Sequence, residues 1–368
     1  MKLAFKQEQI TPVLQTVQRV VSPRTTLPVL TGVLISGKDG KITLSATDHE
    51  IAIEAEAPGQ VIEEGAVVLP ARYLGDIVRR IPGGDVTLET GPQGKSATVR
   101  WGRSHYVIHG FSAEEFPTLG RFGQDNMISL NRKELRELVD RTVFSVSHDE
   151  TRPMLTGALL EMEDGKIRLV ATDGVRMALK EGPLDGADGQ KKAIIPGRAL
   201  TELSRTLAEL VEENILVGLD GGQFILQAKG IHFRTRTIDG QFPNYRQVIP
   251  KDIKTSAILQ TSEYLAACER SSVLAQEGGH AIRLDFKGDT LTITANAPEV
   301  GNVQEEIAAT VGGENMQIAF NVKYLIEGLK NIGADEVDFQ MTGPISPAVM
   351  KAKGREDLVY VILPLRTV

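Results

Sequence analysis

Three stretches of the chain keep apolar residues at helical spacing on one side and cations on the other. In Ala71 to Ile81 the apolar stripe is Leu74, Ile77, Val78 and Ile81, while Arg72 and Arg79, about two turns apart, share the opposite face. The plan returns at a nearly constant offset in Leu200, Leu203, Ser204 and Leu207 with Arg198 and Arg205. It returns again in Leu325, Gly328, Leu329 and Ile332 with Lys323 and Lys330. Each stretch is expected to be a helix with a buried stripe and a cationic stripe.

The flanking pattern repeats too. Pro28-Val29-Leu30-Thr31-Gly32 matches Pro153-Met154-Leu155-Thr156-Gly157, and the run Asp39 to Asp48 matches Asp164 to Asp173 through Ala46-Thr47-Asp48 and Ala171-Thr172-Asp173. A fainter third copy, Gly288 to Asn296, keeps the turn and the alternation. Each copy opens with a short strand and an amphipathic helix: Leu3 to Phe5 then Gln7 to Val21, Ile128 to Leu130 then Arg132 to Val146, Ala257 to Leu259 then Ser262 to Leu274. Pro12 is expected in the first turn of its helix, where a missing N–H does no harm. Period-two runs such as Val33 to Ile35, Ile42 to Ala46, Ile51 to Ala55 and Ala66 to Leu69 precede the cationic helix, and Val86 to Glu89, Ala97 to Trp101 and His105 to His109 follow it. The unit reads as two helices and about eight strands. The expected class is α+β, with antiparallel sheets and the helices on one side, in three domains at 1–122, 126–250 and 253–368. Gly120 to Asn126 and Pro250 to Ser256, rich in turn formers, are the expected linkers.

Composition narrows the chemistry. With 368 residues, 41% hydrophobic and 24% charged, the chain is globular and too long for one ordinary core. No apolar run approaches the ~18–20 residues that span a bilayer, and the single Cys268 fits a reducing compartment, so a soluble, unexported, cytoplasmic protein is expected. The net charge of −7 argues against a surface that attracts nucleic acid everywhere, so any such contact must use the cationic stripes. Asp48-His49 and His148-Asp149 invite an acid/base reading, but the repeat puts Gly174 where His49 stands. No phosphate loop, metal helix or nucleophile elbow occurs, and neither catalytic residues, a metal nor a cofactor is expected.

Geometry links the repeat to a ligand. If the two helices of each unit line a channel at ~10 Å spacing, one chain's six helices leave an opening of only about 9 Å, narrower than a major groove alone at about 12 Å. Two chains give twelve helices and about 28 Å, enough for a duplex and a layer of water. A duplex ligand therefore implies a closed dimer.

Five motifs reach a known family: Arg24-Thr25-Thr26-Leu27-Pro28-Val29-Leu30, Ala171-Thr172-Asp173-Gly174-Val175-Arg176-Met177, Asp239-Gly240-Gln241-Phe242-Pro243-Asn244-Tyr245, Phe320-Asn321-Val322-Lys323-Tyr324-Leu325 and Leu363-Pro364-Leu365-Arg366. Over its whole length the chain resembles the bacterial sliding clamps, the β subunit of DNA polymerase III. The resemblance implies three repeated clamp domains per chain, each with two helices lining the channel, in a head-to-tail homodimeric ring. It also implies a non-catalytic processivity factor that tethers the polymerase III catalytic subunit, meets the clamp loader, and binds other polymerases and repair proteins through short peptide motifs.

Carried over by position, Arg24, Arg72, Arg79, Arg80, Arg198, Arg205, Lys323 and Lys330 face duplex DNA and hold it through phosphates, without sequence preference. The resemblance implies a partner-peptide pocket built first from Arg152, Leu155, Thr172, Gly174, Val175, Arg176 and Met177. Pro243, Gln247, Val248, Asn321 and Tyr324 extend it, and Val361, Leu363, Pro364 and Leu365 close it. It further implies a seam where Arg103, Tyr106 and Ile108 of one subunit meet Val273, Leu274, Glu305 and Glu306 of the other. Val175 stands where some members have His, Gln247 where some have Arg, and His105 where some have Arg; Thr367-Val368 extend past the usual end. Two other readings stay open, a duplicated clamp specialised for inhibitor resistance and a repeat-built hydrolase.

Overall fold

The computed structural model describes residues 1–22, 25–120, 127–184 and 189–366. The first repeat runs β1 (Lys2–Lys6), α1 (Gln7–Gln18), β2 (Gly32–Lys38), β3 (Lys41–Thr47), β4 (Ile51–Ala57), β5 (Gln60–Glu63), β6 (Gly65–Pro70), α2 (Ala71–Arg80), β7 (Asp85–Thr90), β8 (Ser96–Trp101) and β9 (Ser104–His109). The second runs β10 (Ile128–Asn131), α3 (Arg132–Asp140), β11 (Gly157–Glu163), β12 (Lys166–Thr172), β13 (Arg176–Pro183), β14 (Lys191–Pro196), α4 (Gly197–Glu209), β15 (Asn214–Asp220), β16 (Gln223–Ala228) and β17 (Ile231–Arg236). The third runs β18 (Thr255–Gln260), α5 (Thr261–Ala275), β19 (Ala281–Lys287), β20 (Thr290–Ala297), β21 (Gly301–Ala308), β22 (Thr310–Gly313), β23 (Met316–Asn321), α6 (Val322–Ile332), β24 (Glu336–Met341), β25 (Ala348–Ala352) and β26 (Leu358–Ile362). The class is α+β as the patterning implies. Among the described residues the strand counts are nine, eight and nine.

The helix ends differ from expectation for local reasons. The first helix stops at Gln18, short of Val21, and because it starts at Gln7 its Pro12 sits in the second turn, where a backbone hydrogen bond to Glu8 is forgone. The expected helix through Val146 stops at Asp140. The Thr142 hydroxyl donates to the Leu138 carbonyl at 2.7 Å, and its amide turns to Val139, which tightens the chain into the 3-10 turn Val143–Ser145. The second linker is also shorter than expected, because Thr255 and Ser256 already belong to β18. Most of the first lies outside the described residues.

Every strand pair named among the sheets is antiparallel, and two of the four sheets are shared between repeats. The eight-stranded sheet β10-β15-β16-β17-β4-β3-β2-β6 joins four strands of the second repeat to four of the first through β17 and β4, with Phe233 opposite Ile53. The nine-stranded sheet β14-β11-β12-β13-β26-β25-β24-β18-β22 joins the second and third repeats through β13 and β26, with Met177 opposite Val361. A five-stranded sheet, β5-β1-β7-β8-β9, and a four-stranded one, β21-β20-β19-β23, complete the set. Packing accordingly yields two compact units, Met1–Lys133 with Glu202–Thr237, and Glu134–Thr201 with Ile238–Val368, although the sequence holds three repeats.

In the first unit α1 and α2 lie against each other, α1 over β3 and β4, and bury Ile10, Leu14, Val17, Leu74 and Val78. In the second unit α5 and α6 cover one face of their sheets around stacked and edge-on rings of Tyr264, Phe286, Phe320 and Phe339. Cys268 lies fully inside this core, and burial pushes its thiol far up, so it is inert. The buried Lys180 meets Asp357 at the β13 end of the joint. Arg355 first, then Lys180, hold the Asp357 carboxyl well below the usual range against the cost of burial. Among the described residues no helix is long and apolar enough to cross a membrane.

Gly328 interrupts the apolar stripe of α6 for a steric reason. A Cβ there would stand 2.5 Å from the Met350 methyl and 2.6 Å from the Tyr360 ring. Gly328→Ala is therefore expected to destabilise the protein by about 1–3 kcal/mol despite the better helix propensity of Ala. Urea unfolding measures this, and an unchanged midpoint would mean that α6 can move away from β25 and β26.

Candidate functional site

Each cationic stripe sits where its helix leaves the core. Arg72, Arg79, Arg80, Arg198, Arg205, Lys323 and Lys330 are all exposed, while the interleaved Leu74, Val78, Leu200, Leu203, Leu325 and Leu329 are buried. Arg24 lies outside the described residues. Several cations already have acidic neighbours: Asp76 stands 3.6 Å from Arg79 and 3.4 Å from Arg80, Glu202 is 2.7 Å from Arg205, and Glu269 on α5 is 2.8 Å from Lys330. Such exposed pairs contribute about 0–1 kcal/mol each, so a phosphate can replace the carboxylate at little cost. Among the described residues Arg72 and Lys323 make no ion pair or side-chain hydrogen bond. Tyr73, exposed beside Arg72, adds an aromatic face to this surface that the charge pattern did not single out.

The second site is an apolar cavity of about 220 Å³ within the second unit. Its rim is a turn made by Thr172 to Val175. The Thr172 hydroxyl donates to the Arg176 carbonyl at 2.6 Å and accepts from the Gly174 amide at 3.1 Å, while the Asp173 carboxylate accepts from the Val175 and Arg176 amides at 2.9 and 3.0 Å. Gly174 takes φ +94°, the left-handed region glycine favours. The same device recurs in the first repeat: Thr47 donates to Ile51, Asp48 accepts from Glu50 and Ile51, and His49 is forced to φ +75°. The shared Thr-Asp pair is thus turn chemistry, and Asp149 likewise accepts from Thr151.

The cavity brings together Leu155, Thr172, Gly174, Val175, Arg176, Met177, Pro243, Val248, Val361 and Leu363 as expected from position. Tyr245 is an added wall. Its hydroxyl donates to Glu161 at 2.6 Å, and burial followed by Glu161 pushes its pKa up to about 12. Its place at the end of the Asp239 to Tyr245 motif was the signal for it in the sequence; in the structure it is buried in the core cluster.

The remaining expected pocket residues do not line the cavity. Arg152 lies over Gly174, within 3.0 Å of where a Cβ would stand, and pairs with Asp149 at 3.3 Å. Gln247 is exposed on the 3-10 turn Tyr245–Gln247. Asn321 is spent as the N-cap of α6, accepting from the Lys323 amide at 3.0 Å. Tyr324 holds its ring 4.5 Å from the Arg176 guanidinium, and the Leu365 amide bonds to Ala319 at 2.7 Å. Pro364 is half-buried outside the lining. The Arg176 side chain reaches toward α6: it pairs with Asp173 at 3.0 Å and with Glu327, and donates to the Phe144 carbonyl at 2.9 Å. Burial works to lower its pKa, and Tyr360, Glu327 and Asp173 outweigh it, so the cation is locked on.

The equivalent joint in the first unit carries different side chains. The Arg236 amide bonds the Glu50 carbonyl at 3.0 Å just as the Leu363 amide bonds Val175 at 2.9 Å. Arg236, Glu50 and Arg234 therefore occupy the places of Leu363, Val175 and Val361, and charge replaces the apolar lining.

Of the expected seam residues, Tyr106 and Ile108 fall on β9 and Glu305 and Glu306 on β21, both outermost strands, while Arg103 precedes β9 and Val273 and Leu274 lie on α5. β9 ends the five-stranded sheet, and β21 ends the four-stranded one. Tyr106 is 50% exposed, with its ring stacked on Trp101 at 5.2 Å, and Arg103 is exposed in the β8–β9 turn. Ile108, expected at the seam, is 6% exposed and belongs to its own core: it shares the face of Tyr106 but lies opposite the buried Ala97, farther from the β8–β9 turn. Val273 is 67% exposed on α5, Leu274 is half-buried, Glu306 is exposed, and Glu305 is already bound by Arg270 at 2.7 Å. Val107 within β9, 56% exposed, and Val300 just before β21, 63% exposed, were not picked out by the sequence pattern.

Three family models match in succession: the DNA polymerase III beta subunit N-terminal domain at residues 1–120, its central domain at 129–244 and its C-terminal domain at 246–366. A beta sliding clamp of Staphylococcus aureus is 33% identical, with both chains covered in full. The crystal structure of a DNA polymerase sliding clamp from Bacillus subtilis matches over the whole of both chains with a TM-score of 0.96 at 33% identity. That of the DNA polymerase III subunit beta from Pseudomonas aeruginosa does so with a TM-score of 0.94 at 30% identity.

Because Arg176 ties the rim to α6, Arg176→Ala is expected to cost about 2 kcal/mol, less than the ~3–5 kcal/mol of a fully buried pair because Glu327 reaches solvent. Arg176→Lys should cost about half as much, since it keeps the charge and loses the fork. Equal stability of all three proteins by urea unfolding would show that the rim holds without this tie.

Proposed function

The chain belongs to the DNA polymerase III beta subunit family, and we propose that it is a sliding clamp: a non-catalytic processivity factor that closes around duplex DNA as a head-to-tail homodimer. The observation that carries this reading is the pair of unmated strands. Inside the chain, the last strand of each following repeat pairs with the β4-type strand of the repeat before it, as β17 does with β4 and β26 with β13. By the same order β9 and β21 are the last strand and the β4-type strand left without partners, and a second copy supplies both. Transferring the β17–β4 register through the hairpins sets Tyr106 opposite Val303 and Val107 opposite Asn302 of the partner. A two-fold axis closes the contact and avoids a fibre.

On this reading the exposed cations of α2, α4 and α6 act on phosphates. Contacts to phosphate position without reading sequence, and their self-neutralised pairs keep the hold loose enough to slide. The apolar cavity at Leu155, Met177, Val361 and Leu363 suits a short peptide anchored by Leu or Phe. The partners proposed for it are the catalytic subunit of polymerase III, the clamp loader, and other polymerases and repair proteins with such motifs, in the cytoplasm.

Protein loaded on a nicked circular plasmid should co-elute with it and be lost when the plasmid is linearised; equal retention on both forms would overturn the topological reading. In the same assay, Tyr106→Cys combined with Val303→Cys should cross-link two chains once loaded and make release from circles resistant to high salt. For the pocket, Leu363→Asp should weaken a polymerase-tail peptide by at least ten-fold in a fluorescence titration, since a carboxylate cannot be buried there uncompensated. An unchanged affinity would remove the cavity from partner binding.

A further inference from the structure

The three repeats carry the same sheet, and one row across its outer face, away from the helices, differs in kind. In the first repeat the row reads Val68, Leu34, Ser45, Glu54, and in the second Ile194, Leu159, Val170, Leu179. In both, the segment after the last strand crosses this row. Phe111 bridges to Val68 and Phe116 packs on Leu30 and Val68; Ile238 bridges to Ile194, and Tyr245 joins the cluster of Leu159 and Leu179. In the third repeat the row reads Ala319, Arg283, Thr294, Gln304. Leu365 makes the corresponding contact with Ala319, while Arg283 and Gln304 are exposed and Thr294 is half-buried.

The substitution is more than the solvation of an uncovered face. A merely wetted sheet needs only polar side chains, whereas here a large residue has become Ala319 and left a groove of about 470 Å³. Arg283 lines it, exposed, and among the described residues its guanidinium makes no ion pair or hydrogen bond. The nearest acid along its strand on the same face, Asp285, accepts from Gln317 at 3.3 Å. Asn296, Asn302, Gln304 and Thr294 rim the groove with amides and a hydroxyl. A planar fork with no partner, beside a small residue and ringed by amides, matches a carboxylate on an extended backbone.

We propose that this groove binds an extended, acidic peptide segment of a partner protein, laid across the sheet as Phe111–Phe116 and Ile238–Tyr245 are in the other repeats, with a Glu or Asp carboxylate on Arg283. The site is separate from the apolar cavity and calls for the opposite ligand chemistry. The groove is built within the third repeat and does not depend on closure of a ring.

The probe is acetyl-Thr-Glu-Thr-Glu-Thr-amide, whose alternation puts both carboxylates on one face, compared with its Gln counterpart by NMR titration of the full-length protein. The Glu peptide should bind at least ten-fold more tightly, with shifts confined to β19, β20, β21 and β23. Arg283→Gln should erase that difference, and Ala319→Ile, which restores the residue type of the second repeat, should abolish binding of both peptides while leaving the fold intact. Leu363→Asp should leave the titration unchanged, so that a failure of the apolar pocket assignment is told apart from a failure here. Equal affinity for the two peptides, or Glu-peptide binding unaffected by Arg283→Gln, overturns the proposal.

Discussion

The pairing of strands between successive repeats, β17 with β4 and β26 with β13, organises this molecule. Each repeat is built with one edge to give and one to receive, and the register of the receiving strand fixes what stands at each joint. Where β26 meets β13, Leu363 and Val361 land beside Val175 and Met177, and the joint becomes an apolar cavity. Where β17 meets β4, arginines and a glutamate land in those places, and the joint is charged. One backbone plan therefore yields different surfaces through a few side chains at fixed register positions.

Electrostatics follows a similar economy. A chain with a net charge of −7 presents cations on three helices without becoming broadly attractive to polyanions, because Asp76, Glu202 and Glu269 sit among them. The rigid charges lie elsewhere. Arg176 and Lys180 are buried at the joint of the second unit, each with more than one acidic partner nearby, and they fix geometry there.

The sequence made the repeat, the α+β class and the cationic stripes legible because these depend on periodicity, which survives divergence. The three Arg/Lys pairs all emerge exposed, and their apolar neighbours inside. What position alone could not reveal depends on where polar atoms find partners. Asn321 and Tyr324 carry family motif letters, yet one caps a helix and the other stacks on Arg176. Ile108 is buried within its own repeat although it shares a face with the exposed Tyr106, and Val107 between them is exposed on the other face. Pro12 and Thr142 misled at helix ends, where a single hydrogen bond decides the boundary.

The joint between β4 and β17 also constrains how the chain reaches its native state. The β4 edge is made early and cannot be capped until the whole second repeat has been synthesised, so an unpaired edge is held open through much of translation. Glu54 and Glu56, on the outward face of that strand, put charge where a stray strand would otherwise add. The acids Glu305 and Glu306 on β21, which ends the four-stranded sheet, put charge along that edge in the same way.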